Sequence, residues 1–368
     1  MKYRKKIALA LLAMMPAVAV NAQNTVSEKT GRMKIVTIEE HFTNADIASA
    51  IRDEVEKIAP GHSQAFNADF SSRQTMKPGQ LTDIGEGRIE NMDANGIDMQ
   101  ILSYGGPATE LLSSPLAVEL SRHTNDQVAA AIAAYPGRFL GFALLPMSDP
   151  QAAVVELERC VKELGFVGAM VYGTARGRFM DEPDFEPFFA KLAELDVPLY
   201  IHPTIVNTEV RNIYYDNPDP AFAARFASAG IGWHYEVGIH VMRLIFAGVF
   251  DRYPNLQVII GHWGELLPFY MDRINAFFPA TASPMEHDFK YYMLNNIYVT
   301  PSGMFSLPQL QYTIETMGVD RIIYSADYPY YPNEGAREFL ENAPISQEDK
   351  EKIAHGNAER LFKISNNR

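Results

Sequence analysis

The chain has little cysteine and little tryptophan: one Cys, Cys160, and two Trp in 368 residues. A lone Cys cannot close an intramolecular disulfide, so a small disulfide-stapled scaffold is excluded. It also excludes a zinc site built on several thiolates. Basic residues are in deficit, 32 Lys and Arg against 45 Asp and Glu, for a formal charge of −13. With no basic tract, the chain is a poor candidate for nucleic-acid binding. Beyond the first 22 residues no apolar run reaches the ~18 residues that a membrane span requires. No glycine-rich dinucleotide fingerprint follows the first apolar strand-like run, which weakens an open nucleotide-binding sheet. What is abundant is core material: 47% hydrophobic residues with 21% charged, an ordinary globular balance that excludes disorder for the bulk of the chain.

Residues 1–22 read as an address. Lys2, Arg4, Lys5 and Lys6 precede an uncharged apolar stretch from Ile7 to Val20, and Val20-Asn21-Ala22 offers small residues for cleavage before Gln23. That is the layout of a secretory signal peptide. Fourteen residues at ~1.5 Å each reach ~21 Å, short of the ~30 Å hydrocarbon core. Cleavage removes four positive charges and no acidic group from −13, leaving about −17. The expected product is exported, periplasmic or secreted, and a lone Cys raises no conflict with an oxidising compartment. Residues 23–33 read as a polar linker, and 34–368 as one domain.

From residue 34 the pattern alternates between β-branched apolar runs and segments of helical period. The runs are 34–38, 98–103, 138–144, 166–171, 197–201, 257–260, 296–300 and 321–325. Several are apolar throughout, as strands buried on both faces of a parallel sheet must be. Between them, Gln151–Leu164 places Ala153, Val154, Leu157, Cys160, Val161 and Leu164 on one face, after an Asp-Pro helix start. Eight strands alternating with helices predict an α/β fold, a (β/α)₈ barrel, with the open doubly wound sheet as runner-up. Two connections, 43–77 and 203–230, read as long and structureless. Both follow a strand C-terminus, the face on which a barrel carries its active site.

The strand ends carry the chemistry. The first closes on Ile38-Glu39-Glu40-His41, and residues two apart on an extended strand share a face. The fifth closes on Ile201-His202-Pro203, the sixth on Gly261-His262-Trp263-Gly264-Glu265, the eighth on Ser325-Ala326-Asp327-Tyr328-Pro329. Each alone is weak. Together, four strands end in His, Glu or Asp at the edge where a barrel converges on one pocket. Glu39, His41, His202 and Asp327 form a mixed nitrogen and oxygen set suited to one divalent ion, zinc or manganese, with magnesium possible in principle.

These stretches resemble the amidohydrolase superfamily. The closer likeness is to its decarboxylase branch: γ-resorcylate, 2,3-dihydroxybenzoate and 5-carboxyvanillate decarboxylases and aminocarboxymuconate-semialdehyde decarboxylase. It covers roughly residues 34–364. Further support comes from Met92-Asp93-Ala94-Asn95-Gly96-Ile97-Asp98, from Phe250-Asp251-Arg252-Tyr253-Pro254 and from Gly356-Asn357-Ala358-Glu359-Arg360-Leu361-Phe362.

The resemblance implies that Glu39, His41, His202 and Asp327 bind the metal. It implies that Asp327 also supplies a proton, and that His262 is a catalytic polar residue oriented by Glu265. Arg273 matches an arginine that, in related enzymes, lies near the active site across a subunit interface. Strand four ends Met170-Val171-Tyr172-Gly173, without a bridging lysine, which points to one metal. Phe42, Tyr214, Tyr215 and Trp263 are candidate aromatic walls, with ordinary packing as the competing reading.

His62, His123, His234, His240, His287 and His355 read as packing or loop residues, with approach to the pocket as the competing reading for His234, which follows Trp233 near a helix start. The implied function is a metal-dependent, non-oxidative decarboxylase of a hydroxylated aromatic or related unsaturated acid, from a family with a habit of dimers and tetramers. A metal-dependent hydrolase or hydratase on the same barrel, and a non-catalytic exported binding protein, are the alternatives.

Overall fold

The computed structural model describes residues 31–66, 76–282 and 284–364. The export signal expected over 1–22 lies outside them, as does most of the linker. Among the described residues no helix is long and apolar enough to cross a membrane.

Seven strands form one sheet in chain order: β1 Val36–Phe42, β2 Met99–Tyr104, β3 Phe139–Leu144, β4 Gly168–Tyr172, β5 Leu199–His202, β6 Val258–Ile260 and β7 Ile297–Val299. All neighbours pair in parallel. Every strand residue except Leu140 is buried, which explains why these runs are apolar rather than alternating.

The expected eighth strand does not form as a ladder. Residues 321–325 make two isolated parallel bridges instead, Val299 with Ile322 and Ile38 with Ser325. The Ile323 N–H donates to the Val299 carbonyl at 3.0 Å, and the Ile38 N–H to the Tyr324 carbonyl at 3.1 Å. The segment thus joins the two outer strands and completes the circuit of a barrel. Its irregularity follows from its end: Asp327 takes φ 58°, which extended pairing does not permit.

Local signals place the helices. Asp149 caps Pro150–Lys162 by accepting from the Ala152 N–H at 3.1 Å, and the helix buries Ala153, Leu157 and Cys160. The two long connections are not structureless. The first holds the helix Ala45–Ile58, capped by Asn44 and burying Ile47, Ile51 and Val55. The second holds Thr208–Tyr214 and Pro220–Arg225, capped by Asn207 and Asp219. In each the cap starts a helix; Ala45–Ile58 adds an apolar face, whereas Thr208–Tyr214 buries only Arg211.

Candidate metal centre

The C-terminal ends of β1, β5 and the 322–327 segment bring Glu39, His41, His202 and Asp327 together, with ligand atoms all within 4.8 Å of one another. Glu39 and His41 share the barrel interior for a reason other than simple alternation. Glu39 has φ 66°, and the register to β2 shifts between Thr37 and Glu40, so a bulge re-aims its side chain.

Each of these side chains is held by one atom and left bare at another. Glu39 Oε2 accepts from three hydroxyls: Thr300 at 3.0 Å, Ser302 at 2.6 Å and Ser325 at 3.1 Å. His202 Nδ1 lies 2.6 Å from the Pro203 carbonyl. A carbonyl only accepts, so Nδ1 carries the proton and Nε2 offers its lone pair. His41 Nδ1 sits 3.2 Å from the Tyr104 carbonyl and 3.1 Å from Ser103 Oγ, which by the same logic frees Nε2.

Glu39 Oε1, His41 Nε2 and Asp327 Oδ1 are buried without a hydrogen bond among the described residues. His41 Nε2 is 3.3 Å from Asp327 Oδ1, and His202 Nε2 is 3.9 Å from Glu39 Oε1. Two ligands held at ~2.0–2.2 Å from one ion stand about 3–4 Å apart. The orphaned atoms and their spacing therefore fit a divalent cation. Orientation of the imidazoles by backbone carbonyls is what metal-binding histidines require.

Electrostatics agree. Burial raises the Glu39 carboxyl above the usual range and pushes Asp327 up to about 8. It drives His41 down to about 4 and His202 well below its ordinary value. Without compensation all four shift toward their neutral forms; a buried cation is the group that restores the carboxylate charges.

Beside this cluster, the chain after β6 makes a turn in which five consecutive residues, 262–266, have positive φ. Backbone bonds pin it: Trp263 N–H to the Thr300 carbonyl at 2.8 Å and Gly264 N–H to the Gly261 carbonyl at 2.7 Å. The His262 N–H donates to Ser302 Oγ at 2.8 Å. The turn, rather than a helix, brings Glu265 Oε1 to 2.8 Å from His262 Nδ1. Burial opposes the charged form of His262, yet the Glu265, Glu39 and Asp327 carboxylates outweigh it and push the imidazole up to about 9. Against the same burial, His262 and His234 hold Glu265 below the usual carboxylate range.

Three other expected site residues stand elsewhere, and a fourth, Arg273, is exposed. Phe42 packs in the core against Tyr104, at 5.7 Å between ring centroids. Tyr214 is 71% exposed and lines a separate groove with Phe179, Val206 and Tyr235. Trp263 is buried and donates its indole N–H to the Met304 carbonyl at 2.8 Å, bracing the loop after β7. Arg273, expected at a site across a subunit interface, lies on the outside of the helix Leu267–Phe277, over the Phe277 ring, where a partner could reach it. Spacing along the chain gives no warning of these placements, because side-chain direction at a loop or helix surface depends on what packs there.

The rings that do flank the ligands are Tyr330, 5.4 Å from His41, and Tyr172, 5.6 Å from His202. His234, read chiefly as a packing or loop residue, does approach the site: its Nδ1 lies 2.7 Å from Glu265 Oε2. Its only signal was proximity to Trp233 at the start of the helix Gly232–Phe246.

The family model described as amidohydrolase matches residues 78–364. A γ-resorcylate decarboxylase of Polaromonas sp. is 39% identical over 303 residues, 78% of this chain and 89% of that protein. Decarboxylase orsB of Emericella nidulans is 34% identical over 345 residues, 90% of this chain and 97% of that protein. Among solved structures, 5-carboxyvanillate decarboxylase of Novosphingobium aromaticivorans, complexed with manganese and 4-hydroxy-3-methoxy-5-nitrobenzoic acid, superposes with a TM-score of 0.81. It is 31% identical, over 90% of this chain and 96% of that one. With that match over most of its length, and with the strand-end ligand set in place, the chain belongs to the amidohydrolase family.

Proposed function

We propose that the protein is a metal-dependent, non-oxidative carboxy-lyase acting on a hydroxylated aromatic acid. The observation that carries this reading is the set of bare buried atoms, Glu39 Oε1, His41 Nε2 and Asp327 Oδ1, beside a His262 anchored on Glu265. The decarboxylases at 34–39% identity support it.

Glu39, His41, His202 and Asp327 would hold a divalent ion such as manganese, which would supply positive charge to polarise the bound acid. Tyr330 and Tyr172 stand beside two of the ligands and give a flat ring its walls. Asp327 donates a proton to the ring carbon that bears the carboxylate. The carbon–carbon bond then breaks, its electron pair restores the aromatic ring, and CO₂ leaves. His262, with Nδ1 committed to Glu265, keeps Nε2 for the ring hydroxyl and for returning a proton to Asp327. No water nucleophile enters the sequence of steps.

The test is CO₂ release from a panel of 2-hydroxy- and 2,6-dihydroxybenzoates by the manganese-loaded protein. Release that disappears on chelation and in Asp327→Asn supports the reading. A folded, metal-loaded sample that releases none sinks it and favours lactone or amide hydrolysis at the same site.

Two further readings belong with this one. Residues 1–22 act as a cleaved export signal, so the mature protein works in the periplasm or outside the cell; N-terminal sequencing of native material that finds Met1 overturns this. The protein also forms a homo-oligomer. In support, the helix Leu267–Phe277 leaves Phe269, Tyr270 and Phe277 exposed by 69%, 48% and 62%, with Arg273 among them. Sedimentation that finds only monomer at micromolar concentration refutes it.

A further inference from the structure

Glu265 serves two imidazoles. Its Oε1 faces Nδ1 of His262 at 2.8 Å and its Oε2 faces Nδ1 of His234 at 2.7 Å, with the two rings 4.4 Å apart. A third group fixes where the protons are. The Trp233 indole N–H lies 3.1 Å from Nε2 of His234. An indole nitrogen only donates. Nε2 of His234 is therefore the acceptor, Nδ1 carries the proton, and the ring is neutral. Nδ1–H then donates to Glu265 Oε2.

This tautomer has two consequences. His234, His262 and Glu265 are close enough to hold an ion, but Nδ1 of His234 has no lone pair to offer one. And Glu265, buried to 2% exposure, has both oxygens satisfied: one by a neutral donor that leaves its charge intact, the other by His262. Remove His234, and one carboxylate oxygen is buried without a partner, free to swing the group off His262 or to draw the imidazole out of line. Trp233 is itself fixed from the far side, packed 5.9 Å from the Phe66 ring.

We infer that His234, with its tautomer set by Trp233, is a positioning residue for catalysis: it holds Glu265 so that Oε1 orients His262. The inference rests on the proposed role of His262 at the reacting ring. The residue is not one of the metal ligands.

The experiment compares the full-length, metal-loaded wild type with His234→Ala, His234→Asn and Trp233→Phe. Outer partners of this kind typically change activity by about 10- to 100-fold. His234→Ala is expected to lose that much in kcat, with KM within about threefold and metal content unchanged. His234→Asn keeps an N–H at the position of Nδ1 and is expected to recover most of the loss. Trp233→Phe, which frees the tautomer, should fall between. A merely structural role predicts instead that Asn fails to rescue and that KM, metal content and Tm move with kcat; that outcome overturns the inference.

A second measurement is independent of substrate. Histidine ¹⁵N spectra of the zinc-loaded protein are expected to show a neutral, Nδ1-protonated ring that vanishes in His234→Asn. They are also expected to show a His262 Nδ1 signal that moves in His234→Ala. An Nε2-protonated or charged His234, or an unmoved His262, overturns the inference even if no tested acid is decarboxylated. A second equivalent of zinc that is lost on His234→Ala overturns it too.

Discussion

Glu39, His262, Glu265, Ser302 and Asp327 all have φ between 46° and 66°, a region that costs an L-residue on the order of 1–2 kcal/mol. Such conformations persist where the surroundings over-determine them, and here the surroundings are the site itself. Glu39 is held by three hydroxyls, His262 by Ser302 and Glu265. Gly261 shows how little slack remains. A methyl group there would stand 2.6 Å from Ser302 Oγ and 2.9 Å from Glu39 Oε1 and the Tyr200 hydroxyl. Gly261→Ala is therefore expected to weaken metal affinity by about 10- to 100-fold, read by competition with a chelator. Unchanged affinity means that Glu39 has room to move, contrary to these contacts. Asp327→Asn keeps the size of the side chain but removes its acidic proton, and kcat/KM should fall by about 10²- to 10⁴-fold. Activity near wild type would assign the proton to another group.

At the scale of elements, the site is tied together across strand ends. Ser302, just past β7, donates to Glu39 at the end of β1 and accepts from the backbone of His262 after β6. Its own N–H donates to Ser325 Oγ at 2.8 Å. One hydroxyl thus links three elements, and Ser302→Ala leaves a buried N–H and a carboxylate oxygen each short of a partner. The expected cost is about 1–3 kcal/mol of stability, measured by urea unfolding, with weaker metal binding alongside. Loss of stability with metal affinity untouched would make the serine a fold residue only. Glu40, on the opposite side of β1, accepts from the N–H groups of Ala326 at 2.9 Å and Tyr328 at 3.3 Å. It thereby clamps the backbone on both sides of Asp327. That the eighth segment is bridged rather than laddered follows: its end is shaped by these side-chain bonds more than by strand pairing.

For the whole molecule, buried neutral histidines weaken the fold in acid. Burial drives His62 and His240 down to about 4 in the folded chain. Unfolded, each titrates near its ordinary value of about 6.5. Above that, both states are neutral and pH has no leverage through these groups. As pH falls below it, the unfolded chain takes up protons that the folded chain refuses. Stability should then drop by about 1.4 kcal/mol per pH unit per histidine until about pH 4. Urea unfolding across that window compares wild type with His240→Gln, whose stability should fall less steeply by one residue's share; the difference cancels the opposite contribution of buried carboxylates such as Glu40 and Asp327, pushed up to about 8. An identical slope in the variant would show that His240 is not held neutral. Metal-free protein should be used, so that loss of the ion does not add to the fall.

The sequence by itself determined the parallel barrel, because strands buried on both faces must be apolar throughout and their spacing leaves room for crossover helices. It also singled out the four side chains that gather into the candidate metal site, since His, Glu and Asp at the ends of such runs have one edge of the barrel to occupy. The capped helix Pro150–Lys162 was legible for the same local reason: a cap followed by apolar period. What only the tertiary structure decided is which rings and charged groups stand beside the ligands. Tyr214 and Arg273 face outward, Phe42 and Trp263 serve the core, and Tyr330 and Tyr172 stand at the ligands instead. His234 reaches Glu265 across 31 positions because the left-handed turn at 262–266 aims the carboxylate at it. Periodicity reports which face of an element is buried; it does not say which buried ring ends beside the ligands, and only the packed neighbours fix that.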